Sequence, residues 1–600
     1  MPVPIPGADL QATSSRSAHY QGHQRLLDEE EEIGATPYLP TRSRSGGNLK
    51  TEENVGKYVT EDGADFEGSS GKVGERQYLD SASQPGRMAK GRRLMQLLVK
   101  NGVEARATEP VPEEVCIPFL DGSVRSLISL DPSQPLQERA ELKWWSLIPQ
   151  FTLWAAANTN ILSFSAGVLG PNLFGLDFNS SVWVIVVFNV FSAIPVAYFA
   201  TFGPLLGMRQ MVQTRYSFGY YPALLPALCN CLTMLGFLAV NAILGGQTLS
   251  LASGSGMSYD VGIVVVGVIS LMLSFVGLKP LHYYSMTLFP VILVLYLVII
   301  GITGGKLHLA KEVSKEIEVS AGQILGYRMA LIASLHIVSG TTIIGFTIPY
   351  ASLASDFSTY LPTRTPKVPL FFSVYFGLLI PLICIPVFGA AAYLAAQAVP
   401  EWTAGAEGGV ATLLYAMCGS GRAARFVMVL FAISVTGNTA PTIYSCGLSS
   451  FVVLPFLAKV PRYFMAIAVT AIYIPLAIVG ADHFFVALEN FLAVLAYWTA
   501  MYIPPTIIES LFIRGPASAL TYPVAIWNDR SRLPVGYAAI AAMCCAVPII
   551  TAGMSQAWWV GWIARKIPVG GGDIGFEMGF VVMAIVYLPC RILEKKLTGR

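Results

Sequence analysis

The chain has 600 residues, of which 54% are hydrophobic and only 13% charged, with a mean hydropathy of +0.56; soluble chains average about 25% charged. The net charge of +2 is too small, and no basic cluster alternates with aromatics, for nucleic acid to be a partner. Residues 1–143 hold 17 of the 39 Lys+Arg and 22 of the 37 Asp+Glu, so the remaining 457 residues carry 22 and 15, a sparseness that lipid imposes.

Residues 1–143 are rich in Ser, Gly, Pro, Glu and Arg, with the acidic block Asp28–Glu32 and the basic run Gly86–Arg93. Such a composition cannot offset the entropy of ordering, so a mostly disordered cytoplasmic tail is predicted, with a short helix near Leu94–Lys100. Its exposed Lys and Ser make it a candidate for trafficking or ubiquitination machinery. Met1 leads into Pro, Ser and Gln without a basic segment and apolar core, so no signal peptide is expected and the first span serves as the insertion signal.

From Trp144 to about residue 592 the chain reads as an all-α integral membrane domain with about twelve spans. They cover roughly 147–170, 181–205, 220–250, 260–278, 285–303, 329–354, 368–398, 424–453, 463–481, 484–511, 535–558 and 575–592. Residues 593–600 form a short C-terminal segment. With a cytoplasmic tail, inner loops and the C-terminus carry 14 basic groups against 8 outside, which places both termini in the cytoplasm. The expected location is a multi-pass protein of the plasma membrane.

Two spans break the apolar pattern. The first contains Asn158-Thr159-Asn160, followed by Ser163 and Ser165; the sixth contains Ser339, Gly340, Gly345 and Pro349 before Tyr350. Pro removes a backbone donor and Gly weakens a helix. Interruptions at spans one and six point to a leucine-transporter-type five-plus-five inverted repeat followed by two C-terminal helices, with unwound segments lining a mid-membrane site. Pro-kinked packing helices are the plain alternative. The third span carries Asn241 and Gln247; the eighth carries Ser434, Thr436, Asn438, Thr439 and Thr442 around Pro441. Amides offer donor and acceptor together, which suits the edge of a neutral heterocycle; interhelical hydrogen bonds account for each one singly.

His336 is read as packing ahead of proton transfer. Cys229, Cys231, Cys544 and Cys545 sit in apolar runs without nearby His or acids and are read as small buried hydrophobes, not metal ligands. No metalloprotease, nucleophile-elbow or acidic metal motif is present in the spans, so no enzyme, catalytic residue, metal or cofactor is expected. A channel would want rings of like groups along a pore; a receptor of the same fold would bind without flux.

Several ordered motifs resemble the nucleobase–cation symporter family, in its fungal purine–cytosine permease branch, over roughly 101–592. They are Gly102–Arg106 with Pro110–Glu114, Gly207–Met211 through Arg215–Gly219, Asn241 with Gly245–Gln247, Ala354–Pro362, and Leu488–Leu492 with Tyr497-Trp498. The resemblance implies alternating access and import of a nucleobase (purine or cytosine) or a related small heterocycle by a symporter. The family's third-span Asn falls on Asn241. Its eighth-span Asn pair followed by Pro falls on Asn438, Thr439 and Pro441, so one Asn has become Thr. The first-span Ser that helps hold substrate falls on Ala156, and the sixth-span Trp that stacks on the ring falls on Tyr350. Two polar contacts are lost, which leaves room for another ring, such as a vitamin. Fungal relatives look proton-driven and a bacterial branch uses sodium, so a co-transported proton is expected ahead of sodium. The ion-coupling candidates are Asn158, Ser434 and Asp356, with Glu489 the other acid near the core.

Overall fold

The computed structural model describes Pro110, residues 147–317 and residues 341–600 apart from 255, 276, 519, 557 and 567–571. The N-terminal tail, most of the pre-membrane motif, His336, Ser339 and Gly340 lie outside the described residues.

The first predicted span is two helices, α1 (Ile148–Asn158) and α2 (Ile161–Phe174). Between them Asn160 is extended (φ −143°, ψ 173°), and its Oδ1 accepts from Ser163 N at 3.0 Å to cap α2, while its Nδ2 donates to Ala157 O at 2.7 Å. The polar triplet is thus a helix end meeting a helix start, with orphan backbone groups met by short side chains. The next spans are α3 (Phe178–Ala200), α4 (Leu224–Ala252), α5 (Tyr259–Phe275) and α6 (Leu278–Leu307). The described part of the sixth is α7 (Thr341–Thr347), which tightens into 3₁₀ turns over Ile348–Ser352 and Ala354–Phe357. Pro349 stands in the first turn of the former, where its missing N–H costs nothing. Then follow α8 (Lys367–Ala398), α9 (Arg422–Ser434), α10 (Thr436–Val453), α11 (Arg462–Gly480), α12 (Phe484–Ile508), α13 (Tyr537–Gly553) and α14 (Gly575–Thr598).

Among the described residues, 8 helical stretches are long and apolar enough to cross a membrane, and α2, α5 and α13 are shorter apolar helices. Their outward faces carry large apolar side chains, such as Val294, Leu297 and Ile302 on α6 and Phe372, Phe376 and Ile380 on α8. In water such a surface would aggregate; in lipid it is the solvated face.

The packing has a regularity by span number. The α1–α6 contact is matched by α7–α12, α1 and α2 on α8 by α7 on α3, α4–α5 by α10–α11, and α4–α11 by α5–α10. Adding or subtracting five spans exchanges the members of each pair, which is the pattern an inverted five-span repeat generates. Glycine permits the tightest crossings. A Cβ on Gly345 of α7 would lie 1.8 Å from Leu492 O of α12, and one on Gly167 of α2 would lie 1.9 Å from Pro386 O of α8.

The structure departs from the sequence reading in four places. The eighth span divides at Val435, between α9 and α10. The eleventh stops at Gly553 and turns into a small hairpin, Ser555–Gln556 paired with Trp559–Val560. Cys544 and Cys545 are exposed on α13, because an apolar run facing lipid need not face the core. Arg209 and Arg215, counted as loop charges, are each 3% exposed. Tyr rings lie under both guanidinium groups, and Arg215 Nη1 donates to Asn528 Oδ1 at 2.9 Å.

At the end where α12 and α14 finish, here called the basic face, α12 runs into a π-turn over Glu509–Ile513. Fully buried Glu509 accepts from Arg591 Nε (3.0 Å) and Nη2 (3.1 Å), Arg514 Nε (2.8 Å) and the Tyr587 hydroxyl (3.0 Å). This cluster anchors α14 to the end of α12.

Candidate functional site

The interrupted helices meet at Asn438, near the start of α10. Its Nδ2 donates to Ala157 O (2.9 Å), at the end of α1, and to the Tyr350 hydroxyl (2.8 Å), in the 3₁₀ turn after α7. Its Oδ1 accepts from Asn241 Nδ2 of α4 (3.3 Å) and from Thr442 Oγ1 (3.3 Å). One amide therefore joins predicted spans one, three, six and eight. The break in α1 frees Ala157 O from a helical partner, and the 3₁₀ turn presents Tyr350 sideways.

Aromatic rings surround this amide. Tyr350 stacks on Phe237 of α4 (centroids 5.9 Å apart, 11° between planes), and Trp154 of α1 meets Tyr350 edge-on at 5.7 Å. Phe237 is met edge-on by Phe346 of α7 and by Phe491 of α12, the latter at 5.3 Å. Trp154, Phe237, Asn241, Tyr350 and Asn438 are all buried. Three buried polar atoms beside the cluster, Asn241 Oδ1, Asn158 Oδ1 and Trp154 Nε1, have no hydrogen-bond partner among the described residues. Two acceptors and a donor, set among flat rings, match what a planar polar heterocycle presents.

The remaining expected side chains do not bond to the Asn438 amide, although Asn158 lies beside it. Thr439 turns away from Asn438, and its hydroxyl pairs with Ser270 Oγ of α5 at 2.6 Å. Pro441 is buried within α10, one turn past the amide. Ala156 is buried with its carbonyl near Gly437, where a Cβ would approach it to 3.1 Å. Gln247 is half-buried on α4, six residues beyond Asn241, thus about 9 Å along the axis and on another face. Asn158 Nδ2 donates to Trp154 O (2.9 Å), and Ser434 Oγ donates to Phe431 O (2.7 Å).

Asp356 belongs to a second, buried constellation nearer the basic face. Its Oδ1 accepts from Gln210 N at 2.8 Å and its Oδ2 from the Ser445 hydroxyl. Arg209 donates to Asp356 O (2.8 Å), Thr359 Oγ1 (3.1 Å) and the Tyr444 hydroxyl (3.0 Å). The carboxylate thereby fastens the 207–219 loop to the segment after α7 and to α10. Trp154 of the ring cluster meets Phe357, next to Asp356, edge-on at 5.6 Å.

Sequence reasoning named Asn241, Tyr350 and Asn438 but not Phe237 or Trp154 as part of one site. Their signal was absent, because an aromatic in an apolar run looks like any packing residue.

Residues 137–561 match the family model described as permease for cytosine/purines, uracil, thiamine, allantoin. The chain is 32% identical over 458 residues to the purine-cytosine permease fcyB of Emericella nidulans, covering 75% of this chain and 85% of that one. It is 28% identical over 497 residues to the vitamin B6 transporter TPN1 of Saccharomyces cerevisiae, covering 75% and 84%. In fold it is similar to Mhp1, a nucleobase-cation-symport-1 family transporter in a closed conformation with bromovinylhydantoin bound: the TM-score is 0.54 at 15% identity, over 75% of this chain and 93% of that one. With the family model spanning nearly the whole membrane region, the chain belongs to the permeases for cytosine/purines, uracil, thiamine and allantoin, and is a membrane permease and not an enzyme.

Proposed function

We propose that this permease is a proton-coupled symporter that imports a small neutral heterocycle, a purine or cytosine in the first instance, by alternating access around the Asn438 cluster. The observation that carries the reading is the meeting of amides and stacked aromatics where two interrupted spans cross. The five-plus-five packing regularity supplies the moving parts, and the substrates named for the relatives supply the ring class. A vitamin-type ring is the second reading, favoured by Ala156 and Tyr350 standing where the resembling branch has Ser and Trp. Uptake of labelled nucleobases and vitamins into cells expressing the full chain, with pH and sodium varied, tests both. Binding without flux would instead indicate a receptor.

From the excess of basic residues on one side, we infer that both termini lie in the cytoplasm of a plasma-membrane protein, with the basic face inward. Protease or reporter access to the C-terminus in intact cells is expected to be nil; access from outside would overturn the orientation.

The Tyr350 ring is expected to stack on the transported ring. Stacking contributes about 1–3 kcal/mol in the nearest measured case, that of nucleic-acid bases, so Tyr350→Ala should weaken apparent affinity about ten-fold or more. Tyr350→Phe keeps the ring, and the Asn438 N–H it frees is unmet in the empty and the loaded site alike, so its effect on affinity should stay within about three-fold. Equal losses in the two variants would assign the contribution to the hydroxyl.

A further inference from the structure

Away from the ring cluster, at the opposite end of the bundle from the basic face, Asp573 lies buried in the connection between α13 and α14. Its Oδ1 accepts from Gly575 N (3.0 Å). Its Oδ2 accepts from Ser555 N (3.1 Å), from Gln556 Nε2 (2.8 Å) and from the hydroxyl of Tyr497, on α12. Gln556 Nε2 also donates to the Tyr497 oxygen at 2.7 Å. A Cβ on Gly575 would come within 2.8 Å of the Tyr497 ring, so that ring is pressed on the start of α14. No cation within bonding reach of Asp573 appears among the described residues.

α12 is also the helix that covers the ring cluster. Phe491 lies on Phe237, and Leu492 O lies against Gly345 of α7. Whatever ties Tyr497 to Asp573 therefore restrains the helix lying over the site. We infer that Asp573 is a proton-binding site whose occupancy governs the hold of the α13–α14 connection on α12, and so couples proton binding to access to the ring site. This rests on the proton-coupled reading above and assigns it a residue.

The proton balance is local. As a carboxylate, Asp573 accepts from every partner it has. A proton added to Oδ2 makes that atom a donor, and it can no longer receive both the Tyr497 hydroxyl and the Gln556 amide. Gln556 Oε1 is a buried acceptor with no donor among the described residues. Half a turn of that amide would put Oε1 where Nε2 now lies, ready to accept the new proton and release Tyr497. Burial pushes the Asp573 carboxyl above the usual carboxylate range, opposed in part by its hydrogen bonds. The other titratable groups acting here are Glu489 and Tyr497 of α12 and Glu577 of α14.

Two readouts test the assignment on the purified full chain and in cells. Infrared pH-difference spectra should show a buried carboxyl band that titrates in the wild type, disappears in Asp573→Asn and returns in Asp573→Glu. Uptake of labelled cytosine, and of labelled vitamin B6, should fall with rising pH by up to about ten-fold per unit for the wild type, as for a single proton site above its pKa. In Asp573→Asn the dependence should shrink below about two-fold overall, with Asp573→Glu restoring it. Should Asp573→Asn fail to reach the surface, Tyr497→Phe, which removes only a hydroxyl, should still lessen the pH dependence at least about three-fold. A wild-type pH profile in either variant, or an infrared band unchanged by Asp573→Asn, overturns the inference. A wild type indifferent to pH and driven by sodium defeats the proton-coupled reading itself, and the inference with it.

Discussion

Asn438→Ala is expected to weaken apparent affinity for the transported ring about five- to a hundred-fold, the range for leaving a buried polar partner unmet at about 1–3 kcal/mol. The geometry gives the reason. The amide bridges Ala157 O, the Tyr350 hydroxyl, Asn241 and Thr442, so its loss opens four contacts at the crossing of four predicted spans. Asn438→Asp should be worse than Ala. A carboxylate would face Ala157 O with no hydrogen to donate, and would place a charge where nothing solvates it. Thr439→Asn, by contrast, should act through α5, since Thr439 is bonded to Ser270; a shift toward cytosine or purines would show that the longer amide reaches around into the cluster. Affinity per molecule at the cell surface is the measurement. Unchanged affinity in a surface-expressed Asn438→Ala would displace the site from α10.

Arg591→Ala should act through folding instead. It leaves Glu509, fully buried, with only Arg514 and Tyr587 as side-chain partners among the described residues. Breaking one side of a buried ion pair costs about 3–5 kcal/mol, against a total stability of about 5–15 kcal/mol for soluble domains. Surface expression should therefore fall several-fold, while any protein that reaches the surface keeps near-normal affinity, because the cluster is remote from Asn438. Removing both charges with Glu509→Leu and Arg591→Met should recover much of the loss, since an apolar pair of similar volume is often as stable. Arg514, with 17% of its side chain exposed, can then turn to water. If the double variant is no better expressed than the single one, the charge pair is not what limits folding.

Which parts could be read from sequence follows from what lipid makes conspicuous. Asn241 and Asn438 stand out because an amide in a long apolar run needs a reason, and both lie in the cluster. The Asn158–Asn160 triplet and Pro349 marked the interruptions because short polar residues and proline interfere with helices locally. Phe237 and Trp154 carried no such mark. Nor could the sequence join Glu509 to Arg591, 82 positions apart, or Asp573 to Tyr497, 76 apart, because those pairings exist only once the helices pack. Arg209 and Arg215 misled in the other direction. Charge counting placed them in a water-exposed loop, whereas the loop folds back on itself and buries both among tyrosines and backbone carbonyls.

The ring cluster contains amides, hydroxyls and aromatics, and none of its members, Trp154, Phe237, Asn241, Tyr350 or Asn438, carries a charge. A membrane potential does about 2.3 kcal/mol of work per 100 mV on each elementary charge moved across it, and almost none on a neutral ring held by neutral groups. On the proposed reading, the ring and its immediate contacts are therefore electrically silent through the cycle. If the proposed symport holds, the voltage across the membrane enters only through the co-transported ion and through whatever ionised side chain shifts with it. Ring affinity without an ion gradient should not respond to voltage, while the driven rate should.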